Sequence, residues 1–211
     1  MMTRATPAVL VLAAACSGTV PTTRYYQIPP PPPDPTAREA EGSVLSIERL
    51  ASEGAYDDER IVYRVDAVRL DYYQYHRWST APGSMVTGYL QQALVHSGKF
   101  RSVVRDTTAD TAAVLGGRVI AIEEVDESKT RWTAHIAVEL TLADPRTGAL
   151  VWSRAYDQRE PLASQTPEGL ARALGIAMGR IAREATPTIA AQAERQSIAR
   201  GRGSAQLGSA P

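Results

Sequence analysis

The stretch RWTAHIAVELTLADPRTGALVWSRAY, residues 131–156, decides the fold. From Trp132 to Leu142 apolar and polar residues alternate. Trp132, Ala134, Ile136, Val138, Leu140 and Leu142 fall on one side, and Thr133, His135, Ala137, Glu139 and Thr141 on the other. Period two predicts a half-buried β-strand with its first set inward. On that assignment His135 is solvated or hydrogen-bonded on the polar side. Asp144-Pro145-Arg146-Thr147-Gly148 follows. Proline fixes φ there and glycine can take positive φ, so the chain turns. Leu150 to Tyr156 then returns antiparallel.

The same patterns extend in both directions. Val44 to Leu50, Ile61 to Val65, Val68 to Tyr75, Phe100 to Val104 and Ala113 to Val125 carry strand-like content, and Asp57-Asp58-Glu59 makes a polar turn. Pro82 opens a helix, where a proline costs little. Met85, Val86, Tyr89, Leu90, Ala93 and Leu94 give it one apolar stripe, and Gly98 suits its C-terminal stop. A second helix begins at Thr166-Pro167-Glu168, with Leu170, Leu174, Ala177, Met178, Ile181 and Ala185 inward. About two helices beside a mixed, mostly antiparallel sheet make an α+β fold. The folded domain is expected over residues 43–190. Gln196 to Pro211, rich in Gly, Ser, Ala and Arg, looks disordered, so residues 191–211 are expected to form a tail.

The N-terminus explains the chain's single cysteine. Arg4 precedes an apolar run from Ala8 to Ala15, too short to span a bilayer and suited to a signal peptide over residues 1–15. It ends Ala13-Ala14-Ala15-Cys16, small residues ahead of a lone cysteine. That arrangement predicts lipidation of Cys16. Leucine, usual three positions before such a cysteine, stands here at Leu12, one step further out. The alternatives are secretory cleavage after Ala15 and a buried free thiol. With no second cysteine there is no disulfide to compete for it. Residues 16–42 read as a stalk holding the five prolines Pro29 to Pro33, a polyproline II spacer. Ser17 after the cysteine, rather than Asp, favours the periplasmic face of the outer membrane, with the inner membrane as the alternative.

Lys+Arg and Asp+Glu balance at 23 each, so nothing favours nucleic acid, which needs clustered positive charge. Nine Tyr against one Phe point to aromatic positions with one end in water or at a contact. The histidines His76, His96 and His135 show no metal-ligand spacing, and Gly116-Gly117 lacks the residues of a phosphate loop. No cofactor is indicated. The carboxylates Glu123, Glu124, Asp126 and Glu127 could in principle serve a hydrolase. No partner group accompanies them, and an acidic strand end is the commoner arrangement.

The densest polar-aromatic stretch is Asp71-Tyr72-Tyr73-Gln74-Tyr75-His76-Arg77-Trp78. With its surroundings it resembles the ABC-type transport auxiliary lipoprotein family. The resemblance rests on Gly54, Tyr56 and Arg60-Ile61-Val62-Tyr63-Arg64, then Tyr73, His76-Arg77-Trp78 and Pro82, then Leu90, Leu94, Ser97-Gly98 and Phe100. Arg24-Tyr25-Tyr26-Gln27-Ile28 is similar to the family's Arg-Tyr-Tyr-x-Leu segment, with Ile28 in place of leucine. It covers about residues 8 to 190. The resemblance implies a non-enzymatic envelope protein with a fold similar to the N-terminal domain of TolB. It also implies an MCE-domain partner and associated inner-membrane transport components that move lipids or other hydrophobic molecules.

Strand alternation sets Tyr72 and Gln74 against Tyr73 and Tyr75, so aromatics face both sides. Tyr73, Tyr75, His76, Arg77 and Trp78 are therefore the candidate partner-binding residues, Tyr and Arg being favoured at interface centres. The competing account packs Trp78 beneath the Pro82 helix and pairs Arg77 with a carboxylate. A lipoprotein that itself carries a hydrophobic ligand is the alternative function, and it requires an enclosed apolar cavity.

Overall fold

A computed structural model describes residues 21–35 and 42–207. The signal sequence and Cys16 lie outside the described residues. The strands are β1 (Arg24–Tyr26), β2 (Val44–Ile47), β3 (Ala51–Ser52), β4 (Arg60–Arg64), β5 (Leu70–Trp78), β6 (Ser102–Val104), β7 (Thr111–Ser128), β8 (Arg131–Ala143) and β9 (Leu150–Pro161). Helix α1 (Pro82–His96) links β5 to β6, and α2 (Pro167–Leu207) follows β9. A 3₁₀ turn at Gly54–Tyr56 precedes β4.

β7 is the hub of one mixed sheet. Along one side it pairs antiparallel with β8, which pairs antiparallel with β9. Its other side takes β2, β3 and β4 in turn, each parallel. β4 continues to β5 antiparallel, β5 to β1 parallel, and β2 to β6 parallel. The two long ladders are thus antiparallel, and the short ones are parallel except β4–β5. Gly117 of β7 has φ of 142°, and a Cβ there would sit 2.0 Å from the Glu139 carbonyl oxygen, so only glycine fits.

Both helices cover one sheet face. Ile122, Ile136, Val138, Leu140 and Leu142 are fully buried there, with Val86, Leu90 and Leu94 of α1 and Leu174, Met178 and Ile181 of α2. Each such side chain contributes roughly 1.5–3 kcal/mol. Alanines at 177 and 185 keep the inner face of α2 shallow, and the Tyr89 hydroxyl donates to the Gly175 carbonyl at 3.1 Å, tying α1 to α2.

Four features differ from the sequence expectation. The polar side of β8 is not uniformly exposed: Thr133, His135 and Ala137 are buried, and only Glu139 and Thr141 are partly open. The cause is a hydrogen-bonded cluster around Glu123, described below. In β5 the alternation breaks. Tyr72 pairs with Val62 and Arg77 with Arg60, so five positions on β5 match two on β4 and the surplus bulges.

The expected stalk is partly body. β1 joins the sheet edge, Ile28 and Pro31 are buried, and Pro29 Cδ lies 3.2 Å from the Cβ position of Gly175. Gly175 leaves the groove that seats this strap. Finally, α2 continues through residues 196–207 rather than ending as a disordered tail. Ile189 and Ala193, past Pro187, still reach the core, and the Ala, Gln, Glu and Arg that follow favour helix.

Candidate interaction edge

The two segments that carried the resemblance are hydrogen-bonded neighbours. β1 lies beside the end of β5 with Arg24 opposite His76, Tyr25 opposite Arg77 and Tyr26 opposite Trp78. The Ser79 amide extends the contact by donating to the Tyr26 carbonyl at 2.7 Å.

Three of the five candidate residues are occupied inside the domain. Trp78 is fully buried among the core residues, which removes it from any partner surface. Tyr73 donates to Glu124 Oε1 at 2.8 Å and meets the Tyr63 and His76 rings edge-on at 5.2 and 5.6 Å. His76 Nδ1 lies 2.7 Å from the Tyr26 hydroxyl, which also reaches Glu168 Oε1 of α2 at 3.3 Å. These contacts bind β1, β5, β7 and the start of α2 into one chain of polar aromatics.

Tyr75 and Arg77 are different. Both are half-exposed, and neither side chain has a hydrogen-bond or ion-pair partner among the described residues. Arg77 therefore lacks the carboxylate partner of the competing account. Beside it, Tyr25 is 62% exposed. A half-exposed guanidinium between two tyrosines offers a planar fork and two rigid rings to an incoming surface. Tyr25 was not among the candidate binding residues. Its place beside Arg77 depends on a three-residue parallel pairing between distant segments.

The consecutive carboxylates Glu123 and Glu124 point to opposite sheet faces. Glu123 accepts from Tyr56 at 2.7 Å and from Arg64 at 3.1 Å, and His135 Nδ1 lies 3.0 Å away. His135 Nε2 reaches Asp157 at 3.2 Å. Burial acts to raise the Glu123 carboxyl, but the bonds from His135, Arg64 and Tyr56 overcome it and hold it down to about 2. Burial, with Glu123 beside it, pushes the Tyr56 phenol up to about 12. With its acceptor sites filled, this cluster is a clamp between strands.

Glu124 is fully buried under the helices, and one oxygen accepts from Tyr73. Its other oxygen and Asp126 Oδ1 are buried with no donor side chain facing them among the described residues, and the two carboxyls are placed to share a proton. Burial, helped by the like charge of Asp126, pushes Glu124 up to about 7. The pair therefore retains a proton towards neutral pH. The candidate hydrolytic carboxylates are thus divided between two faces, with Glu127 engaged by Arg131 and Thr133 at the exposed hairpin end.

Among the described residues, no group of three His, Cys, Asp or Glu is placed to hold a metal ion, and no helix is long and apolar enough to cross a membrane. No curated protein matches the chain. Its fold is similar to that of protein XCC0632 from Xanthomonas campestris: TM-score 0.70, 19% identity, covering 82% of this chain and 99% of that one. It is also similar to the hypothetical protein CT253 from Chlamydia trachomatis, with TM-score 0.50, 10% identity and coverage of 72% and 98%. The model of the ABC-type transport auxiliary lipoprotein component matches residues 26–186, from the tyrosine that ties β1 to His76 to the middle of α2. The chain therefore belongs to that family: it is a lipid-anchored envelope protein and a non-catalytic auxiliary component of transport.

Proposed function

We propose that this lipoprotein is an adaptor, held to the outer membrane through lipidated Cys16, that docks an MCE-type protein of an intermembrane transport system. The associated inner-membrane components complete that system, and the cargo is a lipid or another hydrophobic molecule. One observation carries the choice of surface. Tyr75 and Arg77 stand half-exposed and without partners among the described residues beside exposed Tyr25, while Tyr73, His76 and Trp78 around them are committed to the fold. Two helices packed on one face of a mixed sheet are compatible with the TolB-like architecture that the family resemblance implies.

The ligand-carrier reading finds less support. An apolar cleft of about 390 Å³ lies between Pro31–Pro35 and the α1 and α2 surfaces, but it is open on one side. A carrier would enclose its hydrophobic cargo.

Crosslinking the lipidated full-length chain in envelope membranes, then purifying it and identifying its partners by mass spectrometry, tests the adaptor reading. An MCE-domain protein should be enriched over an unrelated lipoprotein control. A crosslinked set without any such protein would contradict it. Fatty-acid labelling should mark the wild type and leave Cys16→Ala unlabelled. Equal labelling would refute the anchor.

A further inference from the structure

One pole of the sheet gathers features that the docking edge does not use. β1 runs parallel to β5, β5 antiparallel to β4, and β4 parallel to β7. The β4–β5 turn and the β7–β8 turn therefore share one pole, and the chain enters β1 from that side, with Arg24 itself beside His76 near the far end of β5. The start of α2 joins them, since Gln165 Nε2 donates to the Lys129 carbonyl at 3.1 Å. The β8–β9 turn lies at the opposite pole. α2 runs towards it, as its ion pairs step from Arg180–Glu160 to Arg154–Glu184 back along β9.

The chain between Cys16 and the domain is short. Only seven residues, 17–23, separate Cys16 from Arg24, the first residue of β1, so eight Cα-to-Cα steps give a reach of at most about 28 Å. The prolines that would have lengthened the tether are downstream of β1, with Ile28 and Pro31 buried against the domain. The chain leads away from Arg24 towards that pole, so an anchor at Cys16 lets the pole face the bilayer within the reach of the tether.

At that pole Val68 is 92% exposed, more than any other large apolar side chain described. A single exposed valine ordinarily needs no explanation. This one is held outward by a preorganised turn. Asp66 Oδ1 accepts from the Val68 and Arg69 amides at 2.9 and 2.8 Å, and Arg64 donates to the Ala67 carbonyl at 3.3 Å. Arg69 and Lys129 are exposed nearby. Arg69 is paired with Asp71, and Arg131 with Glu127, so local charge is close to balanced and contact would depend on tether and apolar insertion more than on attraction.

We propose that this pole is the membrane-facing end of the domain, with the β4–β5 turn placing Val68 in the lipid headgroup layer and Lys129 beside it. The far end of α2 and the β8–β9 turn then point into the periplasm. The proposal rests on the lipidation of Cys16.

The test uses the acylated full-length protein in vesicles of phosphatidylethanolamine and phosphatidylglycerol carrying a headgroup nitroxide. Val68→Cys and, at the opposite pole, Leu150→Cys (63% exposed in the native residue) each add one free thiol for an environment-sensitive fluorophore. Flotation and intact mass are read on the same samples. The expected result is flotation of both, with a blue shift and several-fold stronger quenching at position 68 than at 150. Flotation with equal quenching, or with stronger quenching at 150, overturns the orientation and leaves the anchor standing. A protein that is neither acylated nor floated overturns the anchor and the orientation together.

Discussion

The β7–β8–β9 ladder and the β1–β5 edge are parts of one sheet held by different chemistry. In the ladder, Ile136, Val138 and Leu140 are sealed beneath two helices, and the clamp on the opposite face satisfies Glu123 with Tyr56, Arg64 and His135. At the edge, a three-residue strand is secured by a Tyr26–His76 hydrogen bond, and Tyr75 and Arg77 are left without partners among the described residues. The first region supplies stability with nothing to spare for a ligand. The second gives up packing and keeps interaction capacity. Residues of the same types, Tyr, His and Arg, therefore do opposite work in the two regions, and burial with partner satisfaction separates them.

The largest break is expected in the ladder. Ile136→Asp would place a carboxylate without a partner in the fully buried centre, a cost of several kcal/mol. Thermal melts should show no cooperative transition. A melt near wild type would mean that β8 faces the other way.

The clamp comes next. Glu123→Ala leaves Arg64 and His135 facing an empty acceptor, and about 3 kcal/mol should be lost at neutral pH. His135→Ala, which a solvated histidine would make nearly silent, should cost about 1–2 kcal/mol because its two carboxylate contacts are real. Denaturant unfolding gives both values. Because the folded Glu123 carboxyl is depressed, its contribution is complete above about pH 4.5 and disappears as pH falls towards 2. The wild-type advantage over Glu123→Gln should shrink across that window, and a constant difference would contradict the clamp.

Glu124 carries the opposite sign. Its folded carboxyl is raised, so the wild type loses stability as pH rises from about 4.5 through 7. Glu124→Gln keeps an acceptor for Tyr73 and offers an amide to Asp126. It should stabilise the domain by about 2 kcal/mol at pH 8, with the gain vanishing below pH 4.5. A gain independent of pH would place the effect elsewhere than in ionisation.

Much of the ladder was legible because period two is long and unambiguous from Trp132 to Leu142, and the Asp144 to Gly148 turn fixes the return strand. The antiparallel β8–β9 pairing follows from that turn, and the α1 and α2 stripes were equally plain. The edge resisted because its determinants are not local. The bulge in β5 overrides the alternation that assigned Tyr73 and Tyr75 to one face. The parallel partner of β5 lies in Arg24–Tyr26, ahead of a proline run whose composition reads as spacer. The burial of Trp78 is as the competing account had it, whereas among the described residues Arg77 lacks the carboxylate which that account gave it.

The smallest stability effect and the most direct test of function fall on the same residues. Tyr75→Ala and Arg77→Ala remove half-exposed side chains that have no partner among the described residues, so each should stay within about 0.5 kcal/mol of wild type in stability. The decisive measurement is the affinity of these two folded variants for the soluble domain of the proposed MCE-type partner, by calorimetry. The adaptor account predicts binding weakened about tenfold or more in each, with melting points unchanged. Wild-type affinity in both folded variants would contradict it and move the interface away from this edge.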